Sequence, residues 1–114
     1  MMIIVSTLKR KIENIKIDNK EYIMAFDMES IEMFKELTGK GVLMSLDKLG
    51  QLDDEMILYF IASTLRDKKT EKLLGNKLFD GSYDLFSLVI SLFPVVLDIV
   101  NNGFPKGDKK TKKN

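Results

Sequence analysis

The sequence predicts a single α+β domain in which an N-terminal β-hairpin packs on a small, mostly α-helical bundle. Apolar and polar residues alternate on both sides of a polar turn near the N-terminus, as they do in paired strands. Further along, apolar residues recur at steps of three and four, as in amphipathic helices. A chain of 114 residues suffices for one domain. We predict that the domain spans residues 1–105 and that residues 106–114 form a disordered basic tail, since that stretch has no apolar residue.

The predicted hairpin runs from Lys11 to Phe26. Ile15 and Ile17 precede the turn formers Asp18-Asn19-Lys20. After the turn, Tyr22, Met24 and Phe26 occupy every second position, as in a strand. An isolated hairpin is marginally stable in water, so its apolar face must pack on helices. Residues 2–8 fit either a short strand or a flexible leader.

Capping residues mark the first helices. Asp27 is a predicted N-cap, apolar residues at helical spacing follow it, and Gly39 ends that helix. We expect a second short helix over residues 42–49, and a third over Glu55–Arg66 capped by Asp53 or Asp54. A further short helix is predicted over Thr70–Leu74.

The most apolar stretch is Tyr83–Asn102. From Leu85 to Leu97 no residue is charged, which is too short for a bilayer and typical of a buried helix. Ser82 is a predicted N-cap, and Pro94 should bend or break the helix. One narrow polar stripe remains, formed by Asp84, Ser87, Ser91, Pro94, Asp98 and Asn101.

The rest of this helix is apolar around most of its circumference, whereas a surface helix usually has a narrower apolar stripe. It is therefore either a central core helix or a core helix that also forms a groove for a partner, and both interpretations can hold on different sides. The candidate partner-binding residues are Phe86, Val89, Phe93, Val96 and Leu97.

Composition argues against catalysis. The chain has no Cys and no His, so thiolate metal sites and the commonest general base are excluded. The acidic triplet Asp53-Asp54-Glu55 is better explained as a helix start than as a metal site. Gly39-Lys40-Gly41 lacks the spacing of a phosphate-binding loop and suits a helix end. We predict no catalytic, cofactor-binding or metal-binding residue, and no enzyme activity.

Charge is unevenly distributed. Of the 18 basic and 17 acidic residues, five Lys and one Asp lie in residues 106–114, so the tail carries +4 and residues 1–105 carry −3. A mildly acidic body argues against a surface for duplex nucleic acid. The tail lysines Lys109, Lys110, Lys112 and Lys113 form either a solvated terminus or a contact for an acidic partner.

The N-terminal half resembles a known family. Its hairpin has the pattern I-x-I-x-(G/N)-K-x-Y-x-(apolar)-x-F-(D/N), and an acidic amphipathic helix ending in Thr-Gly-(Lys/Arg) follows. The matching residues are Ile15, Ile17, Lys20, Tyr22, Phe26, Asp27, Leu37, Thr38, Gly39 and Lys40. In these features the chain resembles the tail assembly chaperones of long-tailed phages and prophages of Gram-positive bacteria, over about a third of its length.

The resemblance implies a non-enzymatic assembly factor in the bacterial cytoplasm. Such chaperones coat the helical tape measure protein and help the tail tube protein to polymerise around it. Many of their genes also make a longer product by a −1 ribosomal frameshift, and Lys112-Lys113-Asn114 can be encoded by a slippery adenine run. That product would be the contact with the tail tube protein, and homo-oligomerisation stays open. No signal peptide is evident in the first residues, so we expect a cytoplasmic location. The alternative is a small regulatory or DNA-binding protein of a mobile element, whose expected basic recognition helix is lacking here.

Overall fold

The computed structural model describes residues 12–42, 45, 51 and 53–103, and within them it has the predicted α+β architecture. A three-stranded antiparallel sheet with the order β1-β2-β3 packs on helices. The elements are β1 (Ile12–Ile17), β2 (Lys20–Ala25), α1 (Met28–Thr38), α2 (Asp54–Thr64), β3 (Leu65–Asp67), a 3-10 helix (Gly75–Phe79), α3 (Leu85–Asp98) and a π-helical turn (Ile99–Gly103). The predictions for residues 2–8, for a helix over 42–49 and for the tail at 106–114 lie wholly or mostly outside the described residues.

The hairpin is confirmed. β1 and β2 are antiparallel, with Ile15 opposite Tyr22 and Ile17 opposite Lys20. The two turn residues, Asp18 and Asn19, have φ values of 50° and 45°. Two-residue turns with both φ values positive match the twist of the strands they join, and Asp and Asn tolerate that conformation better than most residues.

The third strand was not predicted. α2 ends at Thr64, and the chain passes directly into β3, in which Leu65 pairs with Met24 and Asp67 with Tyr22. The predicted helix end at Arg66 is therefore wrong. Leaving the helix allows Leu65 and Arg66 to be buried while their backbone extends the sheet.

The helix predicted over Thr70–Leu74 is also wrong, because this segment folds back along β3. Asp67 N–H donates to the carbonyl of Lys72 at 3.1 Å, and Leu74 N–H donates to the carbonyl of Leu65 at 3.0 Å. The Asp67 carboxylate accepts the N–H groups of Lys69 and Thr70 at 2.8 and 3.1 Å. Such side-chain bonds give the backbone an alternative to a helix.

Helix caps follow local chemistry. Asp27 and Ser30 form a reciprocal capping box at the start of α1, and Gly39 ends that helix with a φ of 76°. Asp53 caps α2 by accepting two backbone N–H groups. These three predicted caps are confirmed.

The start of α3 differs from the prediction. Its N-cap is Asp84, not Ser82, and the carboxylate accepts the N–H of Ser87 at 3.1 Å. Pro94 lies inside α3 and the helix continues to Asp98, so Pro94 does not break it. Pro94 is exposed, as its place on the polar stripe predicted, so water can reach the carbonyl of Ile90 that lost its partner.

The core lies between the sheet and the three helices. Tyr22 and Met24 of β2 meet buried residues from every helix, and α3 contributes Leu88, Leu92 and Val96. These three residues fix one face of α3 against the body of the domain. The orientation of the helix then determines which of its other residues are exposed.

A candidate partner-binding groove between α2 and α3

The exposed face of α3 carries two large apolar side chains one helical turn apart. Phe86 is 75% exposed and Ile90 is 60% exposed. Val89 and Phe93, on the same side, are half-buried. Single exposed apolar residues are common on proteins, but contiguous ones mark interaction sites. This part of α3 is therefore the leading candidate for a functional surface.

The surface is concave because α2 lies beside it. Two adjoining depressions, of about 330 and 230 Å³, share Asp54, Val89 and Ile90 in their lining. We call them together the α2–α3 groove. Its lining residues are Asp54, Ile57 and Leu58 from α2, and Leu85, Phe86, Val89, Ile90 and Phe93 from α3.

The groove has firm walls. Ile57 on the α2 side belongs to the core, and on α3 the groove residues alternate with the buried Leu88 and Leu92. Both helices are also capped at the end that begins beside the groove, by Asp53 and by Asp84. A partner thus meets a preformed surface, which keeps the ordering cost of binding low.

One carboxylate lines the groove, and others lie at the helix starts beside it. Asp54 lines both depressions, Glu55 follows it in the exposed first turn of α2, and Asp84 precedes Leu85. The Asp84 carboxylate accepts hydrogen bonds from the backbone N–H and from the hydroxyl of Ser87. These bonds lower the pKa of the Asp84 carboxyl, and the backbone bond has the larger effect. Neither residues 53–64 nor residues 84–98 contain Lys or Arg. The groove is apolar inside and acidic at its rim.

The sequence identified part of this site. Phe86, Val89 and Phe93 line the groove as the partner-binding prediction requires. Leu97 is half-buried and lies outside its lining. Val96 is a core residue with 1% exposure, so assigning it to a partner surface is incorrect for this fold.

Other groove residues were missed. Ile90 was not singled out, although it follows Phe86 by four residues within the apolar run. The α2 wall was missed because helical periodicity shows which residues share a face and not which helix lies alongside it. The tail lysines Lys109, Lys110, Lys112 and Lys113 lie outside the described residues.

A second cluster ties β3 to the start of α1. Arg66 is 1% exposed, and its guanidinium donates to the Asp27 carboxylate at 2.6 Å and to Glu29 at 2.9 Å. It also reaches the hydroxyl of Ser30 at 3.2 Å and the carbonyl of Ala25 at 3.4 Å. Its Nε is buried without a hydrogen-bond partner. These contacts hold the hairpin, α1 and β3 together.

Two tyrosines join the hairpin to the segment before α3. The hydroxyls of Tyr22 and Tyr83 lie 3.0 Å apart, and their rings meet edge to face. Burial, followed by the hydrogen bond with Tyr22, raises the pKa of Tyr83 to about 12. The pair is a structural link between β2 and the segment that precedes α3.

Metal binding and membrane insertion would each need a structural feature that the described residues do not form. Within residues 12–42 and 53–103, no three acidic side chains come together as a metal site would need. No helix in the described part of the chain is both long and apolar enough to cross a bilayer.

Comparison with known proteins found no matching family model, no matching curated protein and no matching solved structure. The family resemblance in residues 15–40 therefore stays a prediction.

Proposed function

We propose that this protein is a non-enzymatic tail assembly chaperone of a long-tailed phage or prophage, and that its α2–α3 groove binds the tape measure protein. The observation that carries the proposal is the pair of exposed apolar side chains, Phe86 and Ile90, on a helix whose opposite face is firmly buried. The motif resemblance in the hairpin and α1 supplies the class of partner.

The physical demands of the task agree with this surface. A tape measure protein waiting for its tube is a long helix with apolar stripes, and those stripes must be covered to keep it soluble. A groove between two helices can cover such a stripe without chemistry. From Phe86 to Phe93 the groove follows α3 for about 10 Å, or about two turns.

A contact of this size favours reversible binding. Stable interfaces bury roughly 1,200 Å² or more in total, and a two-turn contact buries less than that. Many weakly bound copies along one long partner can still cover it, and each copy can leave when tube subunits arrive. In this proposal the chaperone acts in the bacterial cytoplasm and needs no cofactor.

The tail tube protein is the second proposed partner, reached through a longer product made by −1 frameshifting near Lys112-Lys113-Asn114. The additional domain would be tethered beside the bound tape measure protein and would raise the local concentration of tube subunits. Mass spectrometry of induced cells tests this. Codons that interrupt the adenine run, or absence of the longer product, would remove this part of the proposal.

Co-expression with the tape measure protein is the main test. We expect the gene of a very long helical protein just downstream, and we expect the tagged chaperone to keep its product soluble and to copurify with it. The double variant Phe86→Ser/Ile90→Ser should lose the complex. The matched control is Ile12→Ser/Met28→Ser, because these residues are also large, apolar and exposed and line neither depression.

Two results would contradict the proposal. One is a tape measure protein that neither copurifies nor gains solubility. The other is a complex that survives loss of Phe86 and Ile90 as well as it survives the control substitutions. Thermal melting of both double variants shows whether each is folded, and exposed side chains should be removable without unfolding.

A further inference from the structure

We infer that the segment bound in the α2–α3 groove is an amphipathic α-helix whose apolar stripe is flanked by Lys or Arg. This inference rests on the proposed function and specifies which kind of tape measure segment the groove selects. Three features carry it: the shape of the groove, the backbone chemistry of its walls, and the sign of its rim.

The walls favour a helical occupant. Both walls are α-helices, whose interior N–H and carbonyl groups are already bonded within each helix. An extended peptide would bring unpaired backbone groups into the groove, where no strand edge could pair with them. A helix satisfies its own backbone and presents side chains only. The spacing of Phe86, Ile90 and Phe93 along α3 matches apolar residues at i, i+4 and i+7 of such a helix.

The rim selects a basic flank. Asp53, Asp54 and Glu55 begin one wall, and Asp84 begins the other. The N-terminal dipoles of two helices supply roughly +0.5 charge each, or about +1 in total, which leaves these four carboxylates in clear excess. Asp54 and Glu55 form no salt bridge with any described residue. Their charge is therefore available to a partner.

Complementary charge decides which helices bind in the groove more than it changes the strength of the apolar contact. Each exposed ion pair strengthens binding only slightly, and a like-charged flank weakens it by a similar factor. For a helix with two residues beside the rim, exchanging Lys for Glu should weaken binding about tenfold at low salt.

Synthetic peptides give a direct test with the full-length protein. Three Ala-rich helices of about 18 residues carry the same Leu stripe at i, i+4 and i+7 and differ only in flanking Lys, Gln or Glu. Fluorescence anisotropy at about 50 mM and about 1 M salt measures their affinities. The expected order is Lys, then Gln, then Glu, with the differences reduced to about twofold or less at high salt.

Variants locate the effect. Asp54→Asn/Glu55→Gln should lower the ratio of the Lys-peptide affinity to the Gln-peptide affinity to about twofold or less. The matched control, Glu32→Gln/Glu36→Gln, removes two exposed carboxylates from α1 and should keep the preference. Phe86→Ser should weaken all three peptides. Equal affinity for the Lys and Glu peptides, loss of preference in both variants, or no detectable binding of any peptide would overturn the inference.

The proposed function can fail separately. If the tape measure protein binds equally well to wild type and to Asp54→Asn/Glu55→Gln, the function holds and the selection for a basic flank is refuted. If the peptides show the expected order and the tape measure protein does not bind, the groove selects basic amphipathic helices and the proposed partner is wrong.

Discussion

Asp27 should contribute more to the free energy of unfolding than its partly exposed position suggests, because its carboxylate neutralises a buried guanidinium. Arg66 is 1% exposed, whereas the Asp27 side chain is 29% exposed and Glu29 is 70% exposed. The substitution Asp27→Asn isolates the charge, since Asn caps a helix about as well as Asp. Its amide oxygen can still accept hydrogen bonds from Ser30 and Arg66.

The magnitude follows from what Arg66 retains. Removing one partner from a fully buried ion pair costs about 3–5 kcal/mol. Here the guanidinium keeps Glu29, the Ala25 carbonyl and a neutral oxygen at position 27, so we expect a loss of about 2 kcal/mol for Asp27→Asn. Asp27→Ala also loses the cap and should cost about 1 kcal/mol more. Glu29→Gln removes an exposed partner and should cost less than about 1 kcal/mol.

Urea unfolding of the three variants measures these differences as shifts of the midpoint at constant slope. Arg66→Met is a further check: it removes the buried charge itself, and should therefore cost no more than Asp27→Asn. If Asp27→Asn and Glu29→Gln have the same small effect, the carboxylate of Asp27 is not what makes burial of Arg66 tolerable, and this account of the cluster is refuted.

Three further predictions concern α3 and the segment before it. The pKa of Tyr83 is raised from 10.0 to about 12, so its contribution to stability is fully present below pH 10 and is lost as the pH rises toward 12. Urea midpoints should therefore fall over that range in wild type and fall less in Tyr83→Phe. Equal falls in the two proteins would contradict this. Phe86→Asp should change the melting temperature by no more than about 2 °C, whereas Val96→Asp should unfold the domain. Circular dichroism measures both effects, and unfolding of both variants would disprove the groove assignment. Pro94→Ala restores a backbone N–H at an exposed position of the helix and should raise the free energy of unfolding by up to about 3 kcal/mol. A lower free energy of unfolding would mean that the fold needs the helix shape that Pro94 imposes.

Local signals predicted local structure well. The hairpin depends on two turn residues that tolerate positive φ, and the caps at Asp27, Gly39 and Asp53 depend on side-chain or backbone chemistry within three or four residues. Each of these features is written in adjacent letters of the sequence. The α+β class follows from them.

Non-local structure was not predicted in the same way. Leu65 and Arg66 look like the end of a helix until β2 is placed beside them, and the three residues of β3 are too few for a strand pattern. The same limit applies to the site: Val96 and Phe86 are both apolar residues of one helix. Only the position of the sheet and of α2 decides that Val96 is buried and Phe86 exposed.

The two walls of the groove lie far apart in the chain, and synthesis therefore completes them at different times. A growing chain that has reached Asp67 already contains all three strands and the α2 wall, whereas Phe86 and Ile90 follow later. Since domains fold as units and the core of this one includes Leu88, Leu92 and Val96 of α3, the body of the fold cannot finish packing until α3 has been made. Until α3 has packed, the nascent protein has no finished docking surface, neither for its partner nor for another copy still being made.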